Sequence, residues 1–122
     1  MKHAPGFLAI VEDAKSRVTE VTAAEYEVMR RTGVEHVLID VREESEWAAG
    51  HAAGAIHLGK GIIERDIETR VPDQSTFMVL YCGGGYRSAL AADALQRMGY
   101  RNVRSFAGGW RAWQEANLGI ES

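Results

Sequence analysis

The chain has one cysteine, no excess of basic charge and no long apolar run, and each shortage removes a class of function. A lone thiol, Cys82, cannot close an internal disulfide, and a free thiol that must stay reduced fits the cytoplasm. Lys and Arg total 14 against 17 Asp and Glu, so a net charge of −3 with scattered arginines offers no field for nucleic acid. No segment approaches the ~20 apolar residues of a membrane helix. Phe7 to Val11 is too short for the apolar stretch of a secretion signal, and Glu12 and Asp13 follow it at once. The expectation is a soluble cytoplasmic protein with no nucleic-acid or membrane partner. His3, His36, His51 and His57 lack metal-ligand spacing, so no metal is expected. Repeats and low-complexity segments are also missing, and 122 residues suffice for one domain burying about two-thirds of its unfolded surface.

What is present is an alternation of short apolar runs with helical patterns. Phe7, Ile10, Val11 and Ala14 recur at helical spacing, predicting an N-terminal amphipathic helix within residues 1–17, an accessory to a domain spanning 18–122. Val18 to Val21 predicts a strand, and Thr22 with Glu25 forms a capping box opening a helix that runs to Arg31 and stops at Gly33. His36 to Asp40 predicts a buried parallel strand with Asp40 at its carboxyl end, and Glu43 to Ala49 a short helix ended by Gly50. Further on, Ala55 to Leu58 predicts a strand, Lys60 to Val71 one or two helical pieces before Pro72, and Phe77 to Tyr81 a strand. Ser88 to Met98 predicts a long helix closed by Gly99, Val103 to Phe106 the last strand, and Trp110 to Ala116 the last helix. Such alternation specifies an α/β fold whose ligands bind beyond the carboxyl ends of parallel strands. Asp40 and Cys82 both fall at such ends.

The stretch Tyr81-Cys82-Gly83-Gly84-Gly85-Tyr86-Arg87-Ser88 puts the thiol between a strand and a helix N-terminus, where backbone N–H groups and the helix dipole favour an anion. Glycines at 83, 84 and 85 remove the Cβ atoms that would stop the backbone curling around sulfur and permit positive φ. Arg87 adds a fixed cation suited to activating the thiol or holding an anionic substrate. A cysteine ending a buried strand is often an inert small hydrophobe. An inert position needs no glycine loop closed by arginine, which argues for a reactive Cys82. The arrangement also differs from Cys-x5-Arg phosphatases, since four residues rather than five separate Cys82 from Arg87.

Ile39-Asp40-Val41-Arg42, Glu46-Trp47, Gly50-His51, Gly54-Ala55-Ile56, the loop from Cys82 to Arg87, and Ala107-Gly108-Gly109-Trp110 with Trp113 occur in this order. Together, over Val18 to Ala116, they resemble the single-domain rhodanese (thiosulfate:cyanide sulfurtransferase) family. The resemblance implies a five-stranded parallel sheet with helices on both faces, to which this chain adds its N-terminal helix. It also implies that Cys82 is the nucleophile and carries sulfur as a persulfide, with Gly83, Gly84, Gly85, Tyr86, Arg87 and Ser88 binding the substrate anion. No cofactor is implied beyond that covalent intermediate. Donor and acceptor would be small molecules, thiosulfate or a persulfide on one side and cyanide or a thiol on the other, or else a protein persulfide or acceptor protein. Some thiosulfate-using members carry a basic side chain inside the loop where this chain has glycine, so a glutathione or protein persulfide is as good a candidate donor. The alternative is a non-catalytic module that binds a partner or senses oxidants through Cys82.

Other residues have two readings each. Asp40 either orients loop groups or Arg42, or caps the next helix; Arg42 faces the pocket or pairs with Glu46. Both count as supporting residues. Glu46 and His51 read as scaffold for the Gly50 to Gly54 turn, with His51 as a general acid or base the sharper idea. Lys60, Gly61 and Arg65 either border the pocket mouth or form a solvated face. Trp110 and Trp113 read as core, whereas Tyr86, inside the loop, lines the entrance.

Overall fold

The computed structural model describes residues 3–122. In chain order the elements are α1 (Pro5–Lys15), β1 (Thr19–Val21), α2 (Ala23–Arg31), β2 (Val37–Asp40), α3 (Glu44–Ala48), β3 (His51–Ala52), β4 (Ile56–His57), α4 (Ile63–Arg70), β5 (Met78–Tyr81), α5 (Tyr86–Arg97), β6 (Val103–Phe106), α6 (Gly109–Glu115) and β7 (Ile120–Glu121). Five strands form a parallel sheet in the order β1-β6-β5-β2-β4. The apolar run of β5 lies near the middle because both its faces are covered, and all four of its residues are buried.

Alternation along the strands divides the core. Ile39, Met78, Leu80 and Cys82 pack with Ile63, Ile67, Ala91 and Leu95 of α4 and α5. Leu38, Val79 and Tyr81 point the other way, onto Tyr26 of α2 and Trp113 of α6. Both faces are therefore helix-covered, as the alternating pattern requires. The capping box holds: Thr22 Oγ1 accepts from the Glu25 amide and Glu25 Oε1 from the Thr22 amide, at 3.1 and 2.8 Å.

Two differences from the sequence reading matter for the site. First, α5 begins at Tyr86 rather than Ser88, because Gly85 takes φ +97° and turns the chain directly into the helix. Tyr86, Arg87 and Ser88 are thus the first helical turn and not loop. Second, β3 and β7 make a small antiparallel sheet that runs of two residues could not announce. As its amphipathic spacing implies, α1 lies on the domain: Val11 and Ala14 are buried, and Arg17 just beyond it grips Asp93 of α5 with two hydrogen bonds of 2.9 and 2.8 Å.

Candidate active site

Cys82 follows the last residue of β5, and its side chain is 1% exposed. Its Sγ receives the amide of Gly85 at 3.1 Å and that of Ser88, in the first turn of α5, at 3.4 Å. The sulfur also lies 3.5 Å from Ser88 Oγ, which shares a 2.8 Å hydrogen bond with Ser105 Oγ of β6. Both serines are fully buried. Two amides and a helix N-terminus therefore converge on one sulfur, an arrangement that stabilises negative charge there. Of the loop glycines, which all permit positive φ, only Gly85 uses it. Gly83 has another use: a Cβ there would lie 3.1 Å from the Arg87 guanidinium.

The backbone of Cys82 is held from the far side by α6. The Trp110 amide donates to the Cys82 carbonyl at 2.6 Å. This approach works only because residue 109 is glycine, since a Cβ there would run into the Cys82 carbonyl oxygen and sit 2.7 Å from the Gly83 carbonyl.

Arg87 does not present a bare cation to the sulfur. Its guanidinium makes a forked pair with Glu46 of α3, at 2.8 and 3.2 Å. The hydrogen bond from Arg87 draws the Glu46 carboxyl down to about 2 from 4.5, against the opposing effect of burial. That hydrogen bond likewise raises the Arg87 pKa. Glu46 Oε1 also accepts from the Glu43 amide at 2.9 Å, which fixes it at the start of α3. Glu46 is thus a site residue rather than scaffold for the turn.

Asp40 and Arg42 lie outside the cavity. The Asp40 carboxylate takes the Arg42 side chain at 2.8 to 3.1 Å, the Arg42 amide at 2.9 Å and the Tyr81 hydroxyl at 2.6 Å. Arg42 is 4% exposed, reaches the Gly50 carbonyl at 2.7 Å and lies 4.7 Å from the centre of the Trp110 ring. Burial is the largest single influence and works against its charge, but the hydrogen bond and charge of Asp40 together with Tyr81 outweigh it, so its pKa is raised. Both of the earlier readings of Arg42 are corrected, because it neither faces the pocket nor pairs with Glu46. Asp40 orients Arg42 and does not cap α3.

Cys82 lines a cavity of about 920 Å³ together with Gly83, Gly84, Glu46, Arg87 and Arg111. The N-terminal segment contributes His3, Ala4 and Phe7 to the lining, with His3 and Phe7 beside Tyr86. Lys60, Gly61 and Arg65 do not line this cavity, and Arg65 pairs with its neighbour Asp66.

A family model described as the rhodanese-like domain matches residues 22–116 of this chain. The chain belongs to the rhodanese-like family. Thiosulfate sulfurtransferase GlpE of Pseudomonas entomophila is 35% identical over 83 residues, covering 68% of this chain and 74% of that protein. A mitochondrial protein of Schizosaccharomyces pombe is 33% identical over 90 residues, which span 65% of this chain and only 63% of the yeast protein. Among solved structures, a Rhodopseudomonas palustris protein described as a possible tyrosine phosphatase superposes with a TM-score of 0.85 and 31% identity, covering 99% of this chain and 98% of its own.

The rhodanese-like domain here thus gathers Cys82, Gly83, Gly84, Tyr86 and Arg87 around one cavity and leaves Asp40 and Arg42 outside it. Ser88 faces inward onto the sulfur. His51 stacks on Trp47 with ring centres 3.4 Å apart and shares a 3.0 Å hydrogen bond with the Trp47 carbonyl, a packing role away from the cavity. Trp113 is fully buried, while Trp110 is only half-buried over Arg42. Sequence reasoning missed Ser105, His3 and Phe7. Ser105 could have been found from its inward register in β6 opposite the thiol strand, but the N-terminal pair carry no local signal. Among the described residues no helix is long and apolar enough to cross a membrane, and no cluster of His, Cys, Asp and Glu could hold a metal.

Proposed function

We propose that this protein is a sulfurtransferase that carries sulfane sulfur on Cys82. The observation that supports this best is the Sγ at the cavity base with the Gly85 and Ser88 amides donating to it. The Cys82 thiolate attacks the outer sulfur of the donor, a new S–S bond forms, and the donor's own S–S bond breaks. The electron pair leaves on sulfite if the donor is thiosulfate, or on a thiolate if it is a persulfide. An acceptor, cyanide or a thiolate, then attacks the outer sulfur and returns Cys82 as thiolate. The negative charge begins on Cys82 Sγ, where the two amides point, and passes to the outer persulfide sulfur once the new S–S bond has formed. Both steps are displacements at sulfur, so the chemistry calls for no cofactor. Its partners are a small-molecule donor and acceptor, or a protein persulfide or acceptor protein, in a reducing cytoplasm.

The test compares parent and Cys82→Ser after incubation with thiosulfate or glutathione persulfide. Mass spectrometry should find about 32 Da, one sulfur atom, added at Cys82 in the parent, and cyanide should discharge it as thiocyanate. Equal thiocyanate production by the two proteins would overturn the reading. Stable loading without discharge to any acceptor would favour a redox-regulatory module instead. The phosphatase description of the Rhodopseudomonas palustris relative is tested in the same assay with an aryl phosphate. A four-residue spacing to Arg87, and the engagement of that arginine by Glu46, argue against tetrahedral phosphate. Cys82-dependent phosphate release would replace sulfur transfer as the conclusion.

A further inference from the structure

We propose that α1 belongs to the substrate site, and that His3, Phe7 and Tyr86 form an aromatic shelf selecting sulfane donors with a planar or apolar organic group over thiosulfate. The proposal rests on the sulfurtransferase reading and names its donor class. Ring centres lie 4.5 Å apart for His3 and Tyr86, 5.3 Å for His3 and Phe7, and 6.2 Å for Phe7 and Tyr86. All three side chains are half-buried and line the cavity that contains Cys82. Lys15 Nζ sits 5.2 Å from the Tyr86 ring centre, which helps to hold that ring at the end of α1.

Three observations point to an organic donor. A cavity of about 920 Å³ falls in the range that encloses drug-sized molecules and is far larger than an inorganic anion requires. Of the two arginines lining it, Arg87 is paired with Glu46 at 2.8 Å and Arg111 lies 3.7 Å from Glu115, so little unpaired positive charge is offered to attract a dianion. The same lining includes the clustered rings of His3, Phe7 and Tyr86, suited to stacking on a ring or an apolar chain. This wall is also built rather than incidental. Arg17 fixes the end of the segment to Asp93, and Gln96 Nε2 donates to the Arg17 carbonyl at 3.0 Å. Residues 3–15 lie outside the span matched by the family model, so the shared chemistry does not require them.

The probe is benzenethiosulfonate, whose reacting sulfur matches that of thiosulfate but which carries a phenyl ring in place of one charged oxygen. Cys82 thiolate forms a bond to its terminal sulfur, the donor's S–S bond breaks, and the electron pair departs on benzenesulfinate. With cyanide as acceptor, the kcat/KM ratio of benzenethiosulfonate to thiosulfate should exceed one in the parent. In Phe7→Ala that ratio should fall about fivefold, chiefly through KM, and Phe7→Tyr should restore it. Titration calorimetry on Cys82→Ser, which cannot react, should show the aryl donor binding more weakly once Phe7→Ala is added. An unchanged ratio in Phe7→Ala, or a parent that prefers thiosulfate, overturns the shelf. If no donor loads Cys82 but the aryl compound binds in a Phe7-dependent way, the shelf stands and sulfur transfer falls.

Discussion

Replacing Glu46 by glutamine should make thiosulfate a better substrate, because the acid that occupies Arg87 would lose its charge. The amide keeps one oxygen for the Glu43 amide and one guanidinium N–H, so the start of α3 should hold. Both side chains are about a third exposed, 31% for Arg87 and 37% for Glu46, which sets the scale. A freed cation ~4 Å from an incoming anion interacts by roughly 4 kcal/mol at an effective dielectric of about 20. Screening by solvent and salt at this exposure reduces that to about 1 kcal/mol, or roughly a fivefold drop in KM. The stability lost with the pair should stay below about 1 kcal/mol on the same grounds. Steady-state thiocyanate production at low ionic strength measures the effect, and at about 1 M salt the difference should shrink as the Debye length falls to about 3 Å. Acid cannot mimic the substitution near neutrality. A carboxyl held at about 2 gives its full stabilisation above its ordinary 4.5 and loses it only as pH falls through about 2. Unchanged KM and unchanged salt dependence in Glu46→Gln would show that Arg87 does not meet the arriving anion.

Gly109→Ala should lower stability by about 2–4 kcal/mol, combining a φ of +54° with the collision at the Cys82 and Gly83 carbonyls. A fall in Tm of roughly 10 °C and loss of sulfur transfer should accompany it, and a Tm within about 2 °C of the parent would refute the close approach of α6. Asp40→Asn strands the Arg42 charge in the interior and should cost about 3–5 kcal/mol in urea unfolding; a loss under about 1 kcal/mol would mean that other groups hold the guanidinium. Burial raises the phenol pKa of Tyr26 to about 12, and that of Tyr81 also upward, so both keep their protons in the fold longer than in the unfolded chain. Stability should therefore fall as pH rises above about 10, and ultraviolet tyrosinate titration should show these two ionising late. Simultaneous ionisation of every tyrosine near pH 10 in the folded protein would contradict it.

Much of the fold was legible from local sequence because its signals are local. A buried parallel strand reads as an apolar run, and the capping box at Thr22 and the glycine at 85 act within a turn of their own positions. The reactive-looking environment of Cys82 was legible for the same reason: its sulfur, the Gly85 amide and the Ser88 amide are at most six residues apart. Tertiary structure alone decided the rest. Glu46 meets Arg87 across 41 residues, so a cation read from sequence as free is in fact half of an ion pair. Tyr81 reaches Asp40 across the same separation only because β2 and β5 are paired in register. Phe7 and Cys82 share a cavity although nothing in the pattern of either segment refers to the other. Amphipathic spacing shows that a helix has a buried face but not which surface covers it. Here Val11, Ala14 and the Arg17–Asp93 pair chose α5, and that choice placed an aromatic wall over the thiol.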